Sequence, residues 1–202
     1  MTTPEPNRVP QWARDQLEAH GRAVEDIADS VLPTVLTVAD LLCSTFDHGG
    51  TLYTFGNGGS AADAQHLSGE LIGHYRRDRR PLPAVTLTTD ATVMTCITND
   101  YGSEDQFARQ VTALARPGDV VAAFSTSGRS PNVVRGLAAA RERGATTVLF
   151  GGAQEGPAAK YADYNLAAPA ATTARIQEMH TLMLHIISEY VDAWAAGEPP
   201  MS

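Results

Sequence analysis

Apolar and polar positions change rhythm twice along the chain. From about Gln11 to Phe46 the pattern is helical, and Pro33, just after Ser30, marks a break or first-turn proline between two helices. After Gly49 and Gly50 the pattern shifts to short β-prone runs: TLYTFG (51–56), AVTLTT (84–89), DVVAAFS (119–125), TTVLFGG (146–152) and the weaker YNLAAPA (164–170). Helical segments over 60–75, about 90–98, 103–115 and 131–143 separate them. Short apolar strands alternating with helices predict an α/β fold with a parallel sheet covered on both faces. The rhythm changes again at 174–196, a long helix. There Ile176, Met179, Leu182, Met183, Ile186, Ile187, Tyr190 and Val191 recur at three- and four-residue steps. Its wide apolar face predicts packing on the sheet and on another subunit. The reading is therefore a tail over 1–10, holding three prolines, followed by one domain over 11–202. Within that domain lie N-terminal helices (11–48), an α/β core (49–170) and the long C-terminal helix.

Composition narrows the partners. The 202 residues carry a formal net charge of −8, which disfavours a nucleic-acid groove as the main surface but leaves room for a local anion pocket. No apolar run reaches the roughly 18–20 residues of a membrane span, and MTTPEPNRVPQWARD lacks the apolar core of a signal peptide. The expectation is a cytoplasmic protein without membrane or nucleic-acid partners, its two cysteines, Cys43 and Cys96, reduced and buried.

In parallel α/β sheets, ligands bind where strands end. After the first strand, Gly56, Gly58 and Gly59 permit a sharp turn, with Ser60 placed as a helix N-cap. His66 and Glu70 follow four residues apart on one helix face. That spacing suits two ligands of one metal ion, a base beside its partner, or a solvated ion pair. After the third strand, Ser125, Thr126, Ser127 and Gly128 lead to Ser130, read as the cap of a helix starting at Pro131. Hydroxyls, a glycine and a helix N-terminus meeting in one small volume would cradle a phosphate monoester. The alternative is a serine-rich turn capping itself. Arg129 either reaches the phosphate or sits in water.

GNGGSAADAQHLSGEL, TNDYG (98–102), STSGRS (125–130) and ARIQEMHTLMLH (174–185) together resemble the sugar isomerase (SIS) domain, and within it the phosphoheptose isomerases. The resemblance runs from about residue 11 to the C-terminus. It implies a flavodoxin-like three-layer α/β/α fold with a five-stranded parallel sheet. It also implies a homotetramer with active sites between subunits, and conversion of sedoheptulose 7-phosphate to D-glycero-D-manno-heptose 7-phosphate for nucleotide-activated heptose synthesis. By the same resemblance, Asn57, Gly58, Gly59 and Ser60 line the sugar phosphate, and Asn99 and Asp100 add substrate contacts. Ser125, Thr126, Ser127 and Ser130 grip the phosphate. His66, Glu70, Gln177 and His185 surround the reacting carbons and hold zinc in metal-binding members. Glu70 is implied as the base and His185 as its acid partner.

The chain departs from the family pattern at His74, where Arg is expected, and at Ala174, where Asp is expected. Gln177 and His185 lie eight residues apart, about 12 Å along an ideal helix. One ion therefore takes both only if the helix start is irregular or a second copy contributes; the second is the expectation. His180 competes with His185 for the acid role. A non-catalytic SIS module that associates with the replication initiator protein is the rival reading, and the presence of Glu70 and His185 speaks against it. A sugar-phosphate-sensing regulator would need a basic DNA-binding segment, which nothing before residue 50 resembles. RRDRR (76–80) reads as a solvated turn able to draw an anion toward the site, and His20 and His48 as surface residues.

Overall fold

A computed structural model describes residues 9–199; positions 1–8 of the expected tail lie outside them. Helices α1 (Gln11–Ser30) and α2 (Leu32–Asp47) meet at a 67° bend, with Pro33 in the first turn of α2, where its missing N–H costs nothing. Then follow β1 (Leu52–Gly56), α3 (Gly59–Ile72), β2 (Ala84–Thr86), α4 (Ala91–Tyr101), α5 (Gln106–Leu114) and β3 (Val120–Phe124). The chain continues through α6 (Pro131–Glu142), β4 (Thr146–Gly152), β5 (Tyr164–Ala168) and α7 (Thr173–Ala196). All strand pairs are parallel, in the order β2-β1-β3-β4-β5. This is the flavodoxin-like arrangement, whose switch point lies between β1 and β3.

The sheet divides two apolar layers. On one face Val35, Leu42, Leu67, Phe124, Met183 and Ile187 join α2, α3 and α7; on the other Phe55, Phe107, Val133 and Leu137 join α5 and α6. Strand β3 is buried along its whole length, as a central parallel strand covered on both sides must be. Strand β2 stops at Thr86, short of the expected Thr89. Beyond it Leu87 N still bonds Thr54 O, but the Thr89 hydroxyl folds back onto the Thr86 carbonyl, closing a turn before α4.

Three sequence expectations are corrected. Ser60 does not cap α3: the helix starts at Gly59 with Gly58 as N-cap, and Ser60 is buried in the first turn. Cys96 is exposed on α4 while Cys43 is buried, its thiol pushed up to about 12, chiefly by burial. The arginine-rich turn is not solvated throughout, since the side chains of Arg77 and Arg79 are 8% and 1% exposed. Among the described residues no single helix is long and apolar enough to cross a membrane.

Candidate active site

The turn after β1 is shaped by two glycines. Gly58 has φ +56°, a conformation costly for any residue with a Cβ. At Gly59 a Cβ would lie 2.4 Å from the Gln177 side-chain nitrogen. The missing side chain therefore lets α7 lay its first turns directly on the start of α3. Asn57 exchanges two amide hydrogen bonds with Asn132, at 2.9 and 3.0 Å, tying the β1 turn to the start of α6. Asn132 also donates to Gln106, which donates to Thr98. Asn99 and Asp100 are exposed at the end of α4 and hydrogen-bond to each other; their neighbour Thr98 is the residue that enters this chain. Asn132 and Gln106 carried no motif signal, and only the fold brings them to Asn57.

The turn after β3 is braced from within. Ser125 is buried, and its hydroxyl accepts from Gly128 N at 3.1 Å; the exposed Ser127 accepts from Arg129 N at 3.2 Å. Ser130 precedes α6, but its side chain takes no helix amide; Val133 N is capped by Asn132 Oδ1 at 3.0 Å instead, and the positive end of the helix still favours an anion there. Thr126, Ser127 and Arg129 line a cleft of about 550 Å³, together with Gln154 and Ile176. Arg129 lines that cleft rather than pointing away from it.

Helices α3 and α7 build the second half of the site. Glu70 Oε1 lies 3.0 Å from His66 Nε2, and His185 Nε2 lies 3.2 Å from the same nitrogen. One ring nitrogen of His66 thus faces a carboxylate and a second imidazole nitrogen, and a single N–H cannot serve both. The three side chains are half-buried and offer ligand atoms all within 4.8 Å of one another. A cation among these lone pairs would satisfy all of them. Two imidazoles and a carboxylate are a donor set that zinc accepts, so these residues fit a zinc ion.

The Tyr75 ring packs 5.5 Å from the His185 ring, with the Arg76 guanidinium 5.1 Å over Tyr75. Burial lowers the pKa of His185, the facing His66 lowers it further, Glu70 opposes, and Arg76 adds to the lowering. His180 points elsewhere: it is fully buried, its Nε2 donates to Gly151 O at 2.9 Å, and it stands edge-on to Phe124 and Phe150. Burial pushes its pKa down to about 4. Asp63, one turn before His66, accepts from Thr181 at 3.3 Å, and its pKa is raised by burial. Helix α7 runs unbroken through Gln177 and His185, so the side chain resting on Gly59 belongs to a different stretch of helix from the His66–Glu70–His185 group.

The SIS domain model matches residues 17–152. A phosphoheptose isomerase from Roseiflexus is 44% identical over 182 residues, covering 90% of this chain and 92% of the relative. One from Aquifex aeolicus is 47% identical over 158 residues, covering 78% and 83%. The chain belongs to the phosphoheptose isomerase family of SIS domains. The structure of a phosphoheptose isomerase from Neisseria gonorrhoeae superposes with a TM-score of 0.85 at 36% identity, covering 91% of this chain and 98% of that one. One from Francisella tularensis gives 0.87 at 30%, covering 90% and 97%. Family membership agrees with the five-stranded parallel fold and with a sugar-phosphate isomerase activity.

Proposed function

We propose that this protein isomerises sedoheptulose 7-phosphate to D-glycero-D-manno-heptose 7-phosphate, in the cytoplasm. The observation that carries the reading is the meeting of Glu70 with His185 around His66, across α3 and α7. A non-catalytic module has no need of that convergence.

The open-chain ketose presents a carbonyl at C2 and a hydroxymethyl at C1. Glu70 takes one proton from C1, the C–H electron pair becomes the C1–C2 double bond, and the C2 oxygen gains a proton from the imidazole of His185. The enediol then collapses the other way: the O1 proton leaves to the imidazole, C1 becomes the aldehyde, and Glu70 returns its proton to C2. One carboxylate moves the carbon-bound proton and one imidazole moves the oxygen-bound one. A zinc ion held by His66, Glu70 and His185 would supply electrophilic stabilisation of the oxygen that turns negative on enolisation. The Tyr75 ring covers the His185 side of this group.

The phosphate sits on Ser125, Thr126, Ser127 and Ser130 at the N-terminus of α6, remote from the reacting carbons. It supplies orientation. Asn57, Gly58, Gly59 and Ser60 lie along the sugar between the two ends, with Asn99 and Asp100 at its margin. Ser127→Ala removes an exposed charge-assisted donor, so KM for sedoheptulose 7-phosphate is expected to rise about 10-fold with kcat nearly unchanged; an unchanged KM would remove Ser127 from the phosphate site.

We further propose a homotetramer with active sites between subunits. Gln177 stands eight residues from His185 on one continuous helix, about 12 Å away along its axis. A Gln177 that shares an ion with His185 therefore comes from a second copy.

The deciding experiment is turnover of sedoheptulose 7-phosphate followed by NMR of the aldose, paired with metal analysis of the purified protein. Aldose formation that is lost on chelation and restored by zinc is expected. No turnover with or without zinc, combined with binding to a replication initiator protein, would establish the non-catalytic alternative.

A further inference from the structure

Arg79 and Asp192 lie outside every motif of the family resemblance, yet both are buried where α3 and α7 cross. The Asp192 side chain is 0% exposed and that of Arg79 is 1%. Asp192 Oδ1 accepts from Arg79 Nε at 3.0 Å and from Tyr75 N at 3.2 Å. Its Oδ2 accepts from Arg76 N at 3.0 Å and from Arg77 N at 2.8 Å. The other arm of Arg79 turns onto the end of α3: Nη2 donates to Glu70 O and Nη1 to Leu71 O, both at 2.7 Å, with Gly73 O at 3.2 Å.

The connectivity matters more than the number of bonds. The guanidinium holds the backbone carbonyl of Glu70 itself. Its carboxylate partner sits seven residues after His185, two turns along the same face of α7. A single ion pair therefore links the helix that carries His66 and Glu70 to the helix that carries His185. The same carboxylate fixes the backbone of Tyr75, whose ring lies against His185.

We infer that Arg79 and Asp192 are positioning residues for the isomerisation, a clamp that sets the separation of Glu70 and His185. This rests on the isomerase reading above. Arginine suits the task because its planar fork can meet a carboxylate and two carbonyls at once, whereas a lysine is a point donor that cannot span them.

Two conservative variants test the clamp. Arg79→Lys keeps the charge but loses the fork; Asp192→Asn keeps the shape but loses the charge. For each variant that is folded by circular dichroism, kcat for sedoheptulose 7-phosphate measured well below its Tm is expected to fall about 10-fold or more, with KM changed less than about 3-fold. Leu137→Ala, in the core on the opposite face of the sheet, serves as a control: it lowers Tm and leaves kcat unchanged. Crystal structures of the variants supply a readout independent of turnover. The separation of 3.2 Å between His66 Nε2 and His185 Nε2 is expected to widen by about 1 Å or more, since misplacement of that size is enough to cost catalysis. A triangle that stays intact overturns the clamp whatever the activity, and so does a lowered Tm with normal kcat. If the unaltered protein fails to turn over the ketose, the isomerase reading falls, and the variant structures still decide whether the clamp positions these side chains.

Discussion

Glu70→Gln is expected to lower kcat for sedoheptulose 7-phosphate isomerisation by about 10³-fold, within the range supplied by a positioned general base. The substitution is nearly isosteric. The amide oxygen can still accept a hydrogen bond from His66, which lies 3.0 Å from the carboxylate, so the local packing survives. What disappears is the ability to take a proton from carbon and carry it to the next atom. With the phosphate grip proposed at the β3–α6 turn, KM should move by less than about 3-fold. Two companion measurements separate the base from the ligand role. Metal content of the variant beside that of the unaltered protein shows whether the substitution changes ion binding, and exchange of the C1 hydrogen with solvent deuterium isolates the proton-transfer step. A variant that keeps its metal and its fold but neither isomerises nor exchanges assigns the base to Glu70. A variant that retains more than about a tenth of the activity removes Glu70 from that role, because no general base contributes so little.

The elements of the fold were legible because period and punctuation agreed. Pro33, Gly49–Gly50 and Pro117–Gly118 fall at real boundaries, and even the weak run at 164 became β5. Alternation of short apolar runs with helices was enough to imply the parallel sheet. Ser60 looks like a cap because a serine after glycines is a good local cap, whereas the chain enters the helix earlier, with Gly58 at φ +56° as N-cap and Ser60 already in the first turn. The pair His66 and Glu70 was visible as a spacing, but that spacing is shared by many solvated pairs. Only its meeting with His185, 119 residues away in sequence, gives it chemical meaning, and periodicity carries no such information. The arginine-rich turn failed for the same reason. Charge density alone predicts solvent, and the partner that reverses the prediction, Asp192, is more than a hundred residues distant. Asn132 and Gln106 carry no sequence signal because neutral amides are common, and the pairing of Asn132 with Asn57 and with Gln106 exists only after β1, α5 and α6 are brought together.

Asp192→Ala is expected to destabilise the protein by about 3–5 kcal/mol, the cost of removing one partner from a buried ion pair. The carboxylate is buried and receives three backbone N–H groups as well as Arg79. Deleting it leaves the guanidinium of Arg79, 1% exposed, without its counter-charge, and leaves the amides of Tyr75, Arg76 and Arg77 without their acceptor. The pH dependence has a definite sign. Burial alone would raise the Asp192 pKa, but hydrogen bonds from Arg76, Arg77 and Tyr75 N–H and from the Arg79 side chain outweigh it and hold the carboxyl below its ordinary value. A depressed pKa in the folded state means that the unfolded chain binds the proton more readily. The stabilisation is therefore fully present above the unfolded value of about 3.9 and is lost as pH falls through the folded one. Urea unfolding at a series of pH values reads this directly. The gap in stability between the unaltered protein and Asp192→Asn should be constant near neutrality and shrink below about pH 4. A gap that stays constant down to the acid limit would mean that Asp192 titrates alike in both states, and the carboxylate would then be holding the turn by shape alone.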